Sequence, residues 1–385
     1  VVGSMLDSAD GGFIIQVMEL IGDLFIRMLR MIIIPLIMAS MVSGVVSIGS
    51  GRNLGRVGLK TFIYYFSTTL LAVGAGLVLV NLVKPGTGVK LSGSASALPE
   101  GHEVPSLLLI ITDIVPENIL QAMATGNVLS VIFFSLLLGA ALTSVGEKAK
   151  PVTEFLQGLN NVMLKITDWI MLLAPLGVFA LMTTTIASMG LDVIGDLSKY
   201  MAVVLLGLGF HAAVTLPVLL YLFGKYSPVK FFSHMFSAVG TAFSTASSAA
   251  TLPITFDCLE RKVGVSNKSA SFVLPLGATI NMDGTALYEA VAAMFIAQAY
   301  GIELSILQQV VVMCTAALAS IGAAAIPGAG LITMIVVLQA VGLPVEGIGM
   351  ILAVDRLLDM FRTAVNVWGD SCGTAIIARL EGEQF

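Results

Sequence analysis

Charge is scarce in this sequence. Only 11% of its 385 residues are Asp, Glu, Lys or Arg, against about 25% in an ordinary globular domain. So little charge cannot solvate the surface of a chain this long, which excludes the soluble classes. A net charge of −5 with no basic tail leaves no electrostatic footprint for nucleic acid. The three cysteines, Cys258, Cys314 and Cys372, lack metal-ligand spacing and read as small packing residues. The three histidines, His102, His211 and His234, are equally dispersed. No secretory signal peptide is visible from Val1 onward.

Hydrophobic residues fill the chain instead, at 57% with a mean hydropathy of +0.98. A spanning helix needs roughly 20 mostly apolar residues. Such runs lie near 13–49, 61–83, 105–145, 160–190, 197–224, 231–258, 269–300, 304–342 and 347–378. The expected fold is therefore an all-α membrane protein, a multi-span helical bundle. Lys and Arg near span ends mark the cytoplasmic side. Arg52, Arg56 and Lys60, then Lys148 and Lys150, then Lys225 and Lys230 place three loops inside, while 84–104 and the 191–196 turn read as outside. The acidic start, residues 1–12, reads as outside with no span before it, which predicts that one N-terminal helix is missing from this chain.

Parity then breaks. The run 231–258 has Lys225 and Lys230 before it and Arg261, Lys262 and Lys268 after it, so it should enter the membrane and return. Its middle, STASSAATLP (Ser244–Pro253), suits a hydrogen-bonding hairpin tip, and no histidine or lysine stands at a spacing that would make these serines nucleophiles. The run 304–342 has no basic residue at either end, and its middle reads SIGAAAIPGAG (Ser320–Gly330), as expected of a hairpin entering from outside. Irregular backbone survives at membrane depth only when covered by protein or water. Pro253 and Pro327 end the two tips, and each is followed 28 positions later by a polar cluster, beginning at Asn281 and Asp355. Two re-entrant hairpins with opposite entry sides, each followed by a polar helix, predict inverted repeats around a midplane site.

The cluster DRLLDMFRTAVNVWGD (Asp355–Asp370) holds three carboxylates, two guanidiniums and an amide inside a greasy segment. At about 100° per residue, Asp355, Asp359, Arg362, Thr363, Asn366 and Asp370 share a stripe roughly 100° wide. A charge at the bilayer centre costs about 2.5–3.5 kcal/mol on the mildest scale, so this face must look into a polar cavity or at partners in the protein. An Asp359–Arg362 ion pair that merely staples helices would leave Asn366 and Asp370 without a task. The second cluster, LPLGATINMDGTALYEA (Leu274–Ala290), breaks an apolar span at Asn281, Met282, Asp283 and Gly284. A broken helix frees carbonyls, and Asn281 and Asp283 add hard oxygens suited to a small cation; the alternative is a polar kink held by neighbours. The third, YYFSTT (Tyr64–Thr69), offers the hydroxyls of Tyr65, Thr68 and Thr69, which in spans usually bond their own helix.

At these residues the chain resembles the glutamate/aspartate (excitatory amino acid) transporter family, dicarboxylate/amino acid:cation symporters, in a bacterial-type member. NMDGT (281–285), the serine-rich tip ending in TLP (251–253), SIGAAAIPGAG (320–330) and DMFRTAVNVWGD (359–370) carry the resemblance, which runs from FIRMLRMIIIPLIMASMVSG (25–44) onward. It implies a homotrimer working by an elevator mechanism in the plasma membrane, a bacterial inner membrane, with lipid around it. The expected scaffold is 1–56 and 85–195; the expected transport domain is 57–84 and 196–385, with hairpins at about 231–258 and 304–342. The second hairpin would be the outer gate.

The resemblance also implies roles. Arg362 holds the substrate's side-chain carboxylate, Asp359 takes its ammonium, and Thr363, Asn366 and Thr285 complete the side-chain contacts. Ser248, Ile326 and Gly330 supply backbone contacts. One Na+ set is Gly277, Asn281, Asn366 and Asp370; a second, made of carbonyls, is Thr279, Met282, Ser320, Ile321 and Ala323; a third is Tyr65, Thr68, Thr69, Asn281 and Asp283. Na+ is cargo, and no organic cofactor is implied. Some archaeal members carry an extra arginine where this chain has Ala246, and animal members carry it where this chain has Met360. Glu289 matches the glutamate of the proton-coupled animal members.

The leading expectation is Na+-coupled symport of L-glutamate or L-aspartate, with proton coupling, and not an enzyme. A C4-dicarboxylate:cation symporter is the alternative, opposed by Asp359, which would repel a substrate lacking the amine. Neutral amino acid exchange is opposed by Arg362, whose charge is expected to be matched only when a substrate carboxylate enters. An intramembrane aspartyl protease using Asp283 and Asp370 would need them to share a proton, and a pure channel would not need two occluding hairpins.

Overall fold

The computed structural model describes residues 9–49, 54–89, 115–189, 193–321 and 329–385, and among these there are helices and turns and no strand. Helices satisfy their own backbone, which is what a chain this apolar requires in lipid. In chain order they are α1 (Ala9–Gly49), α2 (Leu54–Val83), α3 (Ile119–Thr125), α4 (Val128–Val145), α5 (Lys150–Leu172), α6 (Ala174–Met189), α7 (Val193–Phe210), α8 (Pro228–Thr245), α9 (Ser248–Asp257), α10 (Asn267–Ile280), α11 (Asp283–Ala299), α12 (Ile306–Ile321), α13 (Ala329–Ala340) and α14 (Ile348–Leu380). Among the described residues, three stretches are long and apolar enough to cross a bilayer: Arg56–Val83, Ser130–Thr167 and Leu197–Gly224. Large apolar side chains such as Ile63, Leu71, Val78 and Leu82 of α2 are exposed, as lipid-facing residues would be.

Two apolar runs divide more finely than the sequence suggests. Within 105–145, Gly126 at φ 75 ends α3 and the Asn127 side chain caps α4 by accepting from Ser130 N–H. The run 160–190 belongs to a helix that starts ten residues earlier, at Lys150, and breaks at Leu173. Beyond α7 the chain continues through a π turn (His211–Thr215), a short α turn (Leu216–Leu219) and a second π turn (Leu220–Gly224). Pro217 has no N–H to give the α ladder, a physical reason for the widened turn before it.

The helices sort by contact. α1 packs on α4, α5 and α6. The remaining large body forms around α11, which packs on α2, α12, α13 and α14. Every residue of α11 except Gln298 is buried, so its Asp283, Thr285, Tyr288 and Glu289 face protein on all sides. α8 and α9 pack on each other across a link of Ala246, at φ 50, and Ser247, whose hydroxyl accepts from Ala250 N–H. α12 and α13 pack likewise; the segment between them, 322–328, lies outside the described residues, as do 1–8 and most of the 84–104 loop.

Past α14 the chain folds back onto the charged end of α2. Glu381 accepts from Lys60 Nζ at 2.6 Å and from Arg56 Nη2 at 2.7 Å. Glu383 accepts from the hydroxyls of Ser266 and Ser269, both at 2.5 Å. The Lys60 hydrogen bond, with that of Arg56, holds Glu381 below its usual carboxylate range. A depressed carboxylate adds stability above its unfolded value of about 4.3 and loses it as pH falls through the folded value. Glu381→Gln is therefore expected to lower the melting temperature slightly at pH 7, because such exposed pairs are weak. The gap should close as pH drops below about 4. Thermal melts of both proteins across pH check it; a gap that persists at pH 3 contradicts the linkage.

Candidate functional site

α14 places its polar stripe against α10 and α11. Arg362 is fully buried. Its Nη2 donates to Asp355 Oδ1 at 3.0 Å and to Asp359 Oδ1 at 2.9 Å, and its guanidinium carbon lies 3.9 Å from the centre of the Tyr288 ring. Among the described residues its Nε and Nη1 have no hydrogen-bond partner. Arg356, largely exposed, stands 3.8 Å from the other oxygen of Asp359. The buried trio thus carries two acids and one base, with two unsatisfied donors. This corrects the expectation that only a substrate carboxylate could match Arg362: two side chains one and two turns back already do. It also weakens the case against a neutral substrate. Asp355, placed on the stripe but not in the substrate set, proves to be Arg362's partner.

Gly330 comes close on the other side. A Cβ built on it would lie 2.7 Å from Arg362 Nη1 and 3.3 Å from the Thr285 methyl, so a side chain there would have to push the guanidinium aside. Asn366 is spent on the helix break: its Oδ1 accepts from Gly284 N–H at 2.8 Å and its Nδ2 donates to the Thr285 hydroxyl at 3.2 Å. Thr363 is buried on α14, and Ser248 is buried at the start of α9, which packs on that helix.

The broken helix is present, α10 ending at Ile280 and α11 beginning at Asp283. Asn281 Nδ2 donates to Asp370 Oδ1 at 2.9 Å, and Asn281 Oδ1 has no partner among the described residues. A Cβ on Gly277 would lie 2.6 Å from the Tyr65 hydroxyl and 2.7 Å from Asp370 Oδ1. Tyr65, Gly277, Asn281 and Asp370 therefore meet at one point. Next to it, Asp283 Oδ1 accepts from Thr69 at 2.6 Å and Thr68 at 3.3 Å. Both hydroxyls also reach the Tyr65 carbonyl, at 3.0 Å from Thr68 and 2.8 Å from Thr69, so each can serve its own helix or the carboxylate. The other Asp283 oxygen meets His211 Nε2 at 3.0 Å. Sequence reasoning missed His211, 72 positions away; the available signal was the cost of any histidine inside an apolar span.

The proposed carbonyl set is not joined by side chains. Thr279 and Ser320 donate to carbonyls of their own helices, Met282 is buried at the break and Ile321 ends α12. Ala323 and Ile326 lie outside the described residues. Glu289 is fully buried; its Oε1 accepts from the Thr333 hydroxyl and its Oε2 has no partner among the described residues.

Chemically, these neighbourhoods offer buried oxygens and carboxylates for cations beside a charged trio with donors to spare. A family model described as the sodium:dicarboxylate symporter family matches residues 1–380. Excitatory amino acid transporter 3 of Mus musculus is 40% identical over 415 residues, covering 94% of this chain and 79% of that protein. An excitatory amino acid transporter of Caenorhabditis elegans is 40% identical over 402 residues, covering 92% and 80%. Excitatory amino acid transporter 2 of Homo sapiens is 39% identical over 422 residues, covering 94% and 73%. The chain belongs to the sodium:dicarboxylate symporter family, whose members are transporters and not enzymes.

Proposed function

We propose that this multi-pass plasma-membrane protein carries L-glutamate or L-aspartate inward with Na+. The observation that carries the reading is the buried Arg362, clasped by two aspartates yet left with unsatisfied Nε and Nη1. A buried donor without a partner costs about 1–3 kcal/mol, and a carboxylate is the acceptor a guanidinium fits best. Asp359 then takes the ammonium, with Thr363, Asn366, Thr285, Ser248, Ile326 and Gly330 around the ligand. A C4-dicarboxylate has no ammonium for Asp359. Asp283 and Asp370 are the carboxylates of two Na+ sites, Asn281 and Tyr65 standing between them; Thr279, Met282, Ser320, Ile321 and Ala323 form the third from backbone carbonyls.

The contact pattern supports a scaffold of 1–56 and 85–195 and a transport domain of 57–84 and 196–385, moving as an elevator within a homotrimer, the α8–α9 and α12–α13 pairs being its re-entrant hairpins. Uptake of radiolabelled glutamate or aspartate into proteoliposomes under an inward Na+ gradient tests the reading. Accumulation that collapses with the gradient supports it; equal uptake without Na+ refutes it.

Glu289 is the proton carrier in this scheme. It is fully buried, and its hydrogen-bond partner among the described residues is a hydroxyl, not a base. Glu289→Gln is expected to make uptake insensitive to external pH while leaving Na+-dependent binding intact. Uptake at a fixed Na+ gradient across external pH, wild type beside variant, decides it: superimposed profiles exclude Glu289.

A further inference from the structure

We propose that His211 is a positioning residue for the cation site: it holds Asp283 so that Oδ1 alone faces the ion, and thereby sets Na+ affinity. The inference rests on the reading of Asp283, Thr68 and Thr69 as a cation site. His211 is fully buried and opens the π turn that interrupts the long helix after α7. A π turn within a helix commonly marks a functional position, because it costs regular hydrogen bonding. His211 Nε2 lies 3.0 Å from Asp283 Oδ2. A carboxylate oxygen only accepts, so Nε2 carries the hydrogen. Among the described residues the ring's other nitrogen has no partner, so this is the hydrogen bond that holds the imidazole there.

The two oxygens of Asp283 therefore differ in kind. Oδ1 faces Thr68 and Thr69, whose hydroxyls can instead donate to the Tyr65 carbonyl. A hydroxyl has one hydrogen and two lone pairs. Turned toward Tyr65, each threonine oxygen has a lone pair to offer beside Oδ1, so an arriving cation can draw on three oxygens. Oδ2 has no such freedom, because Nε2–H remains a donor. The backbone of α14 closes that side: a Cβ on Gly369 would lie 3.3 Å from Oδ2 and 2.8 Å from Asn281 Nδ2. With the imidazole bond removed, the carboxylate can turn about its own axis, and the ion must hold it in place.

The test is Na+ titration of radiolabelled aspartate binding to the purified full chain, for wild type, His211→Gln, His211→Asn and Asp283→Asn. A glutamine amide nitrogen stands as far along the side chain as Nε2, whereas an asparagine nitrogen stops at the Nδ1 position. Retained aspartate binding at saturating Na+ shows that each variant is folded, so loss of fold is read separately from the shift. His211→Asn should raise half-saturating Na+ about tenfold, the equivalent of about 1.4 kcal/mol of charge-assisted hydrogen bond. Aspartate affinity at saturating Na+ should stay unchanged, and His211→Gln should titrate close to wild type. A merely structural role would instead lower binding at every Na+ concentration. If Asp283→Asn shifts the curve and His211→Asn does not, the positioning role is overturned alone; if Asp283→Asn shifts nothing, the cation reading falls and the proposal with it.

Discussion

Arg362→Cys and Arg362→Thr are expected to abolish binding of glutamate and aspartate. Truncating one partner of a buried, hydrogen-bonded charge pair costs about 2–5 kcal/mol, on the order of thirtyfold to several thousandfold in Kd. Here the loss is compounded, since Asp355 and Asp359 would be left as two buried acids without the guanidinium between them. An ammonium would still be welcome, so serine or alanine should bind where the acidic substrates do not. Competition binding on the purified variants, acidic against neutral amino acids, measures this. Unchanged aspartate affinity in either variant contradicts the role given to Arg362. Asp359→Asn supplies the control, because it should weaken every amino acid substrate while sparing a dicarboxylate that lacks the amine.

Asp283→Asn and Asp370→Asn should each raise half-saturating Na+ by on the order of ten- to a hundredfold, and carry substrate affinity down with it. Site-to-site coupling of 1–3 kcal/mol is typical, about 5–150-fold, and binding linkage is reciprocal. The geometry gives a route for coupling. Gly284 N–H, just inside the break that bears Asp283, donates to Asn366, whose amide donates in turn to Thr285; Arg362 lies one turn back from Asn366 on the same face. Ordering the break with a cation therefore orders the substrate pocket. Substrate titrations at stepped Na+ concentrations measure the coupling, and a substrate Kd independent of Na+ in wild type contradicts it.

Much of this was legible in the sequence, for a physical reason. Helical period assigns faces, so Asp355, Asp359, Arg362, Asn366 and Asp370 could be placed on one stripe, and the small and polar run at Asn281–Gly284 marked a broken helix. Period does not name partners across helices. That Glu289 meets Thr333 and Asp283 meets His211 depends on how α11 packs in the body, which no local pattern encodes. The Asp355–Arg362 pair was hidden differently: the residues share a face two turns apart, but contact depends on the reach of a long side chain around Tyr288. Hydroxyls were ambiguous for a third reason, because Thr68 and Thr69 can each serve their own helix or a carboxylate.

The central claim, Na+-coupled recognition of an acidic amino acid, meets its most direct test in equilibrium binding to the purified protein. Aspartate, glutamate and succinate are each measured in Na+ and in choline. Aspartate or glutamate should bind in Na+ with a more than first-order dependence on its concentration and fail to bind in choline, while succinate competes poorly in both. Equal binding in Na+ and choline, or succinate binding as tightly as the amino acids, would contradict it.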